Sequence, residues 1–512
     1  MLLTVLALYL IGWSRQPDGV AFMKMYGIMW TACIFMIVRM MNQLCPRIWE
    51  CVAILAVTVL LLRESLLGYA QALGVRTAGN LTYLCTGTFL NPGPYGGFLA
   101  VCCCILVGYA VLGEKGWIRY ICLATALFGL PLIPATMSRA GMLALACGLL
   151  CLAASSEKQA EWIRRHWLVL SCIGILLLGT GYLVKKGSAD SRMLIARISA
   201  RTILHEGLTG AGPGHFCGAY AEEQARFFSQ KERPERLKQM ADCPEYAFNE
   251  YLQTGVEAGP LAMVLTIVII LQAIFLLYRR HSFWTYGLVA LSVFALFSYP
   301  FSQYQFIPLG GLLIGQAEGS AGKRTPILPF IAAILLAGAV LGMTPEYRNR
   351  MLAEKSWKNN ERWYSMEMYD QVAECYDGIA SLMDHNAEFL FQYGVALRNT
   401  GNYAKSDSVL HIGTGISSDP MFWSLLGRNK QETGNHEEAE ELYHHAFQIA
   451  PNRLYPLFLL TRLYYERNDS AMFMETADKA LHFRPKVESE RTTALCREIE
   501  SMIMNYTYER KQ

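Results

Sequence analysis

The chain has 512 residues, of which 53% are hydrophobic and only 17% are charged, and its formal net charge is +3. A typical soluble domain carries roughly 25% charged residues. The small net charge and the lack of a long basic segment argue against a nucleic-acid-binding protein. The cysteine and histidine spacings of a zinc site are absent from the sequence, so neither a metal nor another cofactor is predicted.

Long apolar runs dominate the first two-thirds of the chain and predict transmembrane helices, which need about 20 apolar residues to cross the hydrocarbon. We expect the first run to be a span rather than a signal peptide, because it lacks a basic start and a small-residue cleavage site. Eleven spans are predicted, at residues 2–13, 20–41, 48–62, 95–112, 117–134, 139–154, 167–184, 252–278, 283–299, 303–316 and 326–343.

Lysine and arginine residues in the short loops predict the orientation of these spans. With the N-terminus in the cytoplasm, the segment 185–250 and everything after residue 343 would lie on the outer side. Four alternate loops would then be cytoplasmic, and these carry Lys115 and Arg119, Lys158 with Arg164 and Arg165, Arg279 and Arg280, and Lys323 and Arg324.

Two arginines are placed against this trend. Arg139 begins the sixth predicted span in the sequence Ser-Arg-Ala-Gly, and Arg192 follows the seventh. A guanidinium stays charged and binds phosphate oxygens through paired N–H groups, so the two arginines are candidates for a diphosphate clamp. The alternative is an interfacial arginine that extends its charge into water. Arg197 and Arg201 follow Arg192 on the same predicted helix and are second-line candidates.

The outer segment also contains a glycine-rich loop, Leu-Thr-Gly-Ala-Gly-Pro-Gly-His-Phe, over residues 208–216. Gly210, Gly212 and Gly214 allow the backbone to approach a ligand closely, and their N–H groups can face an anion. His215 completes this set of candidate substrate-binding groups.

The sequence Ala-Phe-Asn-Glu-Tyr-Leu-Gln at residues 247–253 leads into the eighth predicted span. Asn249 and Glu250 are candidate catalytic residues at this membrane interface. Glu250 is either a general base or the partner of an arginine.

Beyond residue 343 the sequence becomes polar and repeats with a period of about 34 residues, which is typical of the tetratricopeptide repeat. This pattern covers residues 364–487 and predicts an α-solenoid domain over 344–512. Its curved surface would either bind a protein or peptide partner or cap the membrane domain. The recurring positions are Gly394 and Gly427, Gly401-Asn402 and Gly434-Asn435, Ala446 and Ala480, and Pro451 and Pro485.

The Ser-Arg-Ala-Gly span start, the arginine after the next span, the Gly-x-Gly-x-Gly loop and the Asn-Glu-Tyr-Leu-Gln helix start follow one another in order. In order, spacing and topology they resemble the O-antigen ligase and O-antigen polymerase family over roughly residues 80–316. The resemblance implies an all-α, polytopic membrane domain over 1–343, similar to the C-type glycosyltransferases, in the bacterial inner membrane. It also places the repeat domain in the periplasm.

The activity that the resemblance implies is metal-independent transfer of a glycan from undecaprenyl pyrophosphate to an acceptor at the outer face of that membrane. Arg139 and Arg192 would neutralise the charge that develops on the pyrophosphate. Arg197 would support them, and Asn91, in Asn-Pro-Gly-Pro-Tyr, would shape the outer cavity. Ligation to lipid A-core, polymerisation of the glycan and protein O-glycosylation remain open.

The family's ligase signature is His, then Asn, Ser or Gln, nine residues, Gly, two residues, and Gly, Thr or Tyr. Asn249 and Gly259 match it, whereas Phe248 stands at the histidine position and Ala262 at the last one. The resemblance gives that histidine a role at the acceptor or the diphosphate, which Phe248 cannot take. Four expectations stay open. The arginines suffice, the protein is inactive, the variant marks a subgroup with a different acceptor, or another side chain supplies the function, the candidates being Glu250, His205 and His215.

Two functions of other classes stay open on the sequence. A transporter or flippase would show charged residues in the middle of its spans and paired repeats with broken helices, and most spans show neither. A non-enzymatic membrane anchor would display the repeat domain to a partner and would tolerate replacement of Arg139 and Arg192. An oxidising periplasm would also permit a disulfide between Cys217 and Cys243 in the outer segment.

Overall fold

The protein is described by a computed structural model that covers residues 1–80, 82–166, 186–230, 232–317 and 327–509. Within these ranges all regular elements are helices, which confirms the predicted all-α class. The helices of the first part are α1 (Leu2–Arg15), α2 (Gly19–Leu44), α3 (Pro46–Ala72), α4 (Pro92–Leu112), α5 (Trp117–Gly129), α6 (Leu132–Ala135), α7 (Arg139–Ala154) and α8 (Glu157–Arg165).

The middle of the chain combines a segment that the sequence predicts to lie outside the membrane with further apolar helices. Two single 3₁₀ turns, at Gly207–Thr209 and Pro300–Ser302, interrupt it. Its helices are α9 (Lys186–His205), α10 (Phe216–Ser229), α11 (Glu235–Met240), α12 (Glu250–Arg279), α13 (Trp284–Ala295) and α14 (Phe306–Gly315).

Within the described ranges, six helices are long and apolar enough to cross a membrane, and these are Gly19–Leu44, Pro46–Ala72, Pro92–Leu112, Trp117–Ala135, Glu250–Arg279 and Phe330–Ser365. Four shorter apolar helices are α1, α7, α13 and α14. Together they coincide with ten predicted spans. The remaining predicted span, 167–184, and the pair Lys323 and Arg324 lie outside the described residues. The structure therefore supports a multi-pass membrane protein, and the count of eleven spans stays a prediction.

Helix α4 forms the centre of the membrane part. The three consecutive cysteines Cys102, Cys103 and Cys104 are fully buried in it and act as small apolar side chains. Helices α3, α5, α7 and α13 pack around α4. A Cβ atom on Gly141 of α7 would lie 2.7 Å from the carbonyl carbon of Gly96 on α4, so glycine at this position permits the close approach of the two backbones.

The C-terminal part begins inside a single helix, α15 (Ile327–Ser365), which runs through the predicted domain boundary at residue 343 without interruption. After it, consecutive helices pack in antiparallel pairs that stack on one another. These helices are α16 (Tyr369–Asp377), α17 (Ala387–Asn399), α18 (Tyr403–Ile416), α19 (Met421–Glu432), α20 (His436–Ile449), α21 (Leu454–Glu466), α22 (Ser470–Leu481) and α23 (Glu490–Glu509).

The repeated Gly-Asn pairs mark the turns inside two of the helix pairs, α17–α18 and α19–α20. Gly401 and Gly434 have φ angles of 79° and 81°, which glycine adopts without steric cost. The asparagines that follow, Asn402 and Asn435, each accept a hydrogen bond from a backbone N–H of the next helix and so cap it. Stacked helix pairs are thus present where the period of about 34 residues predicts them, while the tetratricopeptide assignment itself stays a prediction.

Candidate functional site

The Ser-Arg-Ala-Gly motif is a helix start that fixes the position of Arg139. The Ser138 hydroxyl oxygen accepts a hydrogen bond from the Gly141 N–H at 3.1 Å and caps α7. The same hydroxyl donates to the Gly93 carbonyl at 3.0 Å and ties α7 to the start of α4. Arg139 is the first residue of α7 and stays partly exposed at this end of the helix.

Arg192 on α9 lies close to Arg139 and to an aromatic ring. Its guanidinium carbon is 4.5 Å from the centroid of the Phe248 ring, and its Nη1 donates to the Phe297 carbonyl at 3.2 Å. Burial lowers the pKa of Arg192, and the positive charge of Arg139 lowers it further. Among the described residues no carboxylate forms an ion pair with Arg192. The two predicted clamp residues therefore lie close enough for the charge of one to act on the other.

A cavity of about 300 Å³ opens next to Phe248, the ring that Arg192 contacts, and we call it the tyrosine cavity. The rings of Tyr246 and Tyr299 stack in its wall with centroids 4.0 Å apart and an interplanar angle of 8°. Phe248 meets the Tyr299 ring edge-on at 5.6 Å and connects the cavity to Arg192. The residues that line the cavity are Asn91, Asp242, Cys243, Pro244, Glu245, Tyr246, Phe248 and Tyr299.

The composition of the tyrosine cavity suits a polyhydroxylated ligand. Tyrosine rings offer apolar faces, while the carboxylates of Asp242 and Glu245 can accept hydrogen bonds from hydroxyl groups. Asn91 caps α4 through its side-chain oxygen, which accepts from the Gly93 N–H at 2.8 Å. Asn91 lines the cavity, and the role predicted for it there stays a prediction.

Asn249 and Glu250 begin α12 immediately after Phe248. The Asn249 side chain accepts hydrogen bonds from the N–H groups of Tyr251 and Leu252, both at 3.0 Å, and caps the helix. Glu250 is buried and does not line the tyrosine cavity. Its Oε2 has no hydrogen-bond partner among the described residues.

Glu250 belongs to a buried charged group inside the helix bundle. Lys24 on α2 approaches Glu257 with an Nζ–Oε2 distance of 3.4 Å, and Gln253 donates to the other oxygen of Glu257 at 3.1 Å. Glu250 interacts electrostatically with both Lys24 and Glu257. A charge buried this deeply requires partners, and this group supplies them between α2 and α12.

The glycine-rich loop packs against a break in α12. Pro260 has no N–H to offer to the Val256 carbonyl four residues earlier, and Gly259 leaves the helical conformation with φ 87°. The loop supplies the missing donors, because Ala211 donates to Val256 at 2.8 Å and Gly212 donates to Glu257 at 3.0 Å. The Gly212 N–H is therefore engaged within the protein.

The remaining loop residues adopt the backbone that their sequence predicts. Gly210, Gly212 and Gly214 have φ angles of 67°, 107° and 78°. His215 is buried, and its Nε2 lies 2.7 Å from the Asp18 carboxylate at the start of α2. A second cavity of about 160 Å³, which we call the glycine-loop cavity, is lined by Gly12, Arg15, Gln16, Glu206, Gly210, Ala211 and Gly212.

The other candidates on α9 face α10 rather than the tyrosine cavity. The Arg197 guanidinium carbon lies 5.3 Å from the centroid of Phe227. The buried carboxylate of Glu223 is 2.6 Å from Arg201 and 2.5 Å from His205. These contacts join α9 to α10.

The disulfide considered for the outer segment is not formed. Both Cys217 and Cys243 are free thiols, and the Cys217 thiol donates to the Glu245 carbonyl at 3.3 Å. Within the described ranges, no group of three histidine, cysteine or acidic side chains is arranged to hold a metal ion.

Sequence reasoning missed Tyr246, Tyr299, Asp242 and Glu245. Tyr299 ends a predicted span 53 positions after Tyr246, so no local pattern connects their rings. The one available indication is the density of aromatic and acidic residues directly before Asn249, in Asp-Cys-Pro-Glu-Tyr-Ala-Phe.

Comparison with known proteins bears on the same part of the chain. Residues 123–267 match the family model Wzy_C, described as O-Antigen ligase. The match supports the O-antigen ligase family. The matched segment includes Arg139, Arg192, the glycine-rich loop and the first half of α12. Members of this family are glycosyltransferase-like membrane enzymes, which indicates a protein that acts on lipid-linked glycan in a bilayer. No curated protein compared with the chain matches it.

Proposed function

We propose that this protein transfers a glycan from undecaprenyl pyrophosphate to a hydroxyl acceptor at the outer face of the bacterial inner membrane. The observation that carries the proposal is that the charges of Arg139 and Arg192 act on each other, while Arg192 lies against Phe248, which lines the tyrosine cavity. Both arginines lie inside the segment that matches the O-antigen ligase family.

The electrostatics of the arginine pair favour an anionic ligand. Burial and the charge of Arg139 both make the protonated form of Arg192 less favourable than it is in water. A diphosphate between the two guanidinium groups would relieve their repulsion and would provide bidentate hydrogen-bond acceptors. Positive groups that are already in place when charge develops on a leaving group account for much of the acceleration in sites of this kind.

The proposed reaction is a substitution at the anomeric carbon of the donor sugar. The acceptor hydroxyl oxygen forms a bond to this carbon, while the bond from the carbon to the pyrophosphate oxygen breaks. Undecaprenyl pyrophosphate leaves with the electron pair, and Arg139 and Arg192 neutralise its charge. The proton of the acceptor hydroxyl passes to the Glu245 carboxylate, which lines the cavity and stands beside Tyr246.

Phe248 acts in this proposal as the support of Arg192, at the position where the family's ligase signature has histidine. A phenyl ring cannot transfer a proton, but its face attracts a guanidinium. Asn249 contributes by capping α12, which fixes Phe248, and Glu250 contributes from the buried group with Lys24. Gly210 lines the glycine-loop cavity, where its N–H would hold a more distant part of the donor. Gly214, His215 and Arg197 would act indirectly, by keeping the loop and α9 in place.

The test compares wild type, Arg139→Ala and Arg192→Ala at matched levels in a strain that lacks the native copy. Arg76→Ala is the matched control, because Arg76 is an exposed arginine between α3 and α4, on the same predicted side. We expect initial transfer rates to fall by roughly 10²-fold or more in both test variants. Undecaprenyl-linked donor should accumulate, while Arg76→Ala behaves as wild type.

The glycoconjugate that disappears identifies the acceptor. Loss of glycan on lipid A-core would indicate ligation, shortened chains would indicate polymerisation, and unmodified proteins would indicate protein O-glycosylation. Unchanged glycan pools in the strain without the protein would contradict the proposal and would favour a membrane-anchored scaffold.

A further inference from the structure

The wall of the tyrosine cavity is a segment without helical structure. Residues 241–249 connect α11 to α12, and Asp242 to Tyr246 in this segment line the cavity. Backbone groups outside helices need hydrogen-bond partners elsewhere, because an unpaired buried carbonyl is unfavourable. The partners of this segment determine where its side chains stand.

Three of these partners come from the C-terminal helix pairs. The Asn452 side chain donates from Nδ2 to the Ala241 carbonyl at 2.8 Å, and Lys486 donates to the same carbonyl at 3.2 Å. The Ser418 hydroxyl donates to the Pro244 carbonyl at 3.0 Å. Ser418 and Asn452 are buried. The segment is therefore anchored at both ends of Ala241–Pro244, immediately before Glu245.

A fourth contact links the same segment to the helix pairs through α10. The fully buried Gln224 side chain donates from Nε2 to the Asp242 carbonyl at 2.9 Å and to the Ile449 carbonyl at 2.6 Å. Around it, Gly218 meets the backbone of Gly415 so closely that a Cβ atom would overlap the Gly415 carbonyl oxygen. Helix α10 thus packs directly on α18 and α20, the second helices of two pairs.

We infer that the C-terminal helix pairs are part of the transferase site, with Ser418 and Asn452 as positioning residues for the wall that carries Glu245 and Tyr246. This inference rests on the proposed function. In the proposed reaction Glu245 on this wall takes the proton of the acceptor, whereas Arg139 and Arg192, which would bind the donor diphosphate, are held by α7 and α9. Loosening the wall should therefore weaken productive acceptor binding more than donor binding.

The test uses the full-length protein in nanodiscs, with the lipid-linked donor that accumulates in the strain lacking the protein and the acceptor that loses its glycan there. We expect Ser418→Ala and Asn452→Ala to raise KM for the acceptor by about 10-fold, with KM for the donor within about 2-fold of wild type. Ser418→Thr, which keeps the hydroxyl, should restore most of the acceptor KM.

Matched controls lie on the same helix pairs away from the wall. The Ser408 hydroxyl and the Asn399 amide are exposed, and each donates only to a carbonyl of its own helix, at 3.0 and 2.8 Å. Ser408→Ala and Asn399→Ala should leave both KM values unchanged. An independent readout needs no substrate: maleimide labelling of Cys243, which lines the cavity, should become several-fold faster in Ser418→Ala.

The outcomes separate this inference from the proposed function. If wild type transfers glycan and both wall variants keep the acceptor KM and the Cys243 labelling rate of wild type, the positioning role is wrong and the proposed function stands. An equal rise in both KM values would also overturn it, because it would indicate a general loss of structure. If wild type transfers no glycan with any such donor and acceptor, both proposals fail.

Discussion

The ring of Phe248 supports the guanidinium of Arg192, with the guanidinium carbon 4.5 Å from the ring centroid. Phe248 adopts φ 51°, an uncommon conformation for a non-glycine residue, and so turns its ring toward α9. At the position of the family's histidine, Phe248 can therefore hold Arg192 in place, although it cannot transfer a proton.

Replacing Phe248 tests this support. Phe248→Leu keeps an apolar side chain but removes the aromatic face, which is worth about 0.5–2 kcal/mol to a nearby cation. We expect kcat/KM for the donor to fall by roughly 2- to 30-fold. Phe248→Tyr retains the ring and should stay within about 2-fold of wild type. Equal activity of the two variants would show that the ring does not support Arg192.

Gly259→Ala should destabilise the protein far more than Gly207→Ala. Both glycines have positive φ angles, 87° and 73°, so alanine is strained by roughly 1–2 kcal/mol at either position. Only at Gly259 would the added Cβ atom also overlap the Leu208 carbonyl oxygen, because Gly207 has open space around it. We expect a difference of at least about 2 kcal/mol in unfolding free energy. Equal unfolding free energies of the two variants would contradict this packing of the loop on α12.

Cys243 should react with maleimide slowly at neutral pH and faster as the pH rises. Burial raises the pKa of its thiol to about 12, and the thiolate is the reactive form. Between pH 7 and pH 9 the labelling rate should therefore increase by roughly 100-fold. Cys217 is the control, since burial also raises its pKa to about 12 but it does not line the tyrosine cavity.

The labelled peptides are identified by mass spectrometry. Cys243 should react faster than Cys217 at each pH, and its adduct should block transfer. A Cys243→Ala variant should transfer glycan in the presence of maleimide. If maleimide inhibits Cys243→Ala as fast as it inhibits wild type, the loss of transfer does not come from modification of the tyrosine cavity.

The His215–Asp18 pair should stabilise the protein more at pH 6 than at pH 9. Burial opposes the protonated form of His215, but the hydrogen bond to Asp18, the negative charge of Asp18 and the contact with the Pro213 carbonyl together outweigh it and raise the pKa above 6.5. The stabilisation of the folded state by this pair is thus complete below about pH 6.5, and it is lost as the pH rises through the pKa of His215 in the folded protein. Burial opposes ionisation of Asp18, yet His215 holds its pKa below 3.8, so acid removes the contribution only below that value.

The measurement compares the unfolding free energy of wild type with that of His215→Gln. The difference should be larger at pH 6 by on the order of 1 kcal/mol, the contribution of one charge-assisted hydrogen bond with a partly exposed partner. His482→Gln is the control, because the exposed His482–Asp478 pair should contribute little at either pH. A pH-independent difference for His215→Gln would rule out the charged pair.

The sequence predicted the parts of the site that depend on local patterns. Ser138 and Asn249 are residue types that cap helices, so the starts of α7 and α12 could be located from the sequence. The proximity of Arg139 and Arg192 followed from their chemistry and from the side of the membrane assigned to them. The roles of these residues in transfer remain predictions.

Other parts of the site depend on contacts between distant segments. Ser418 and Pro244 are 174 residues apart, and a serine in a polar repeat carries no mark of its partner. The glycine-rich loop suggested an anion site because its N–H groups were expected to be available. Pro260 removes an N–H donor from α12, and two N–H groups of the loop bind the α12 carbonyls instead. The sequence of either segment alone could not indicate this contact.

The unbroken helix α15 has a mechanical consequence. Its 39 residues span about 58 Å, whereas the hydrocarbon layer is about 30 Å thick, so roughly half of the helix extends beyond it. Near the membrane part, Tyr347 of α15 stacks on Tyr26 of α2 with centroids 4.4 Å apart, which resists tilting. If α15 crosses the bilayer as predicted, it fixes the distance between the bilayer and the C-terminal helix pairs. In the proposed reaction, an acceptor anchored in lipid would then have to present its hydroxyl at that distance.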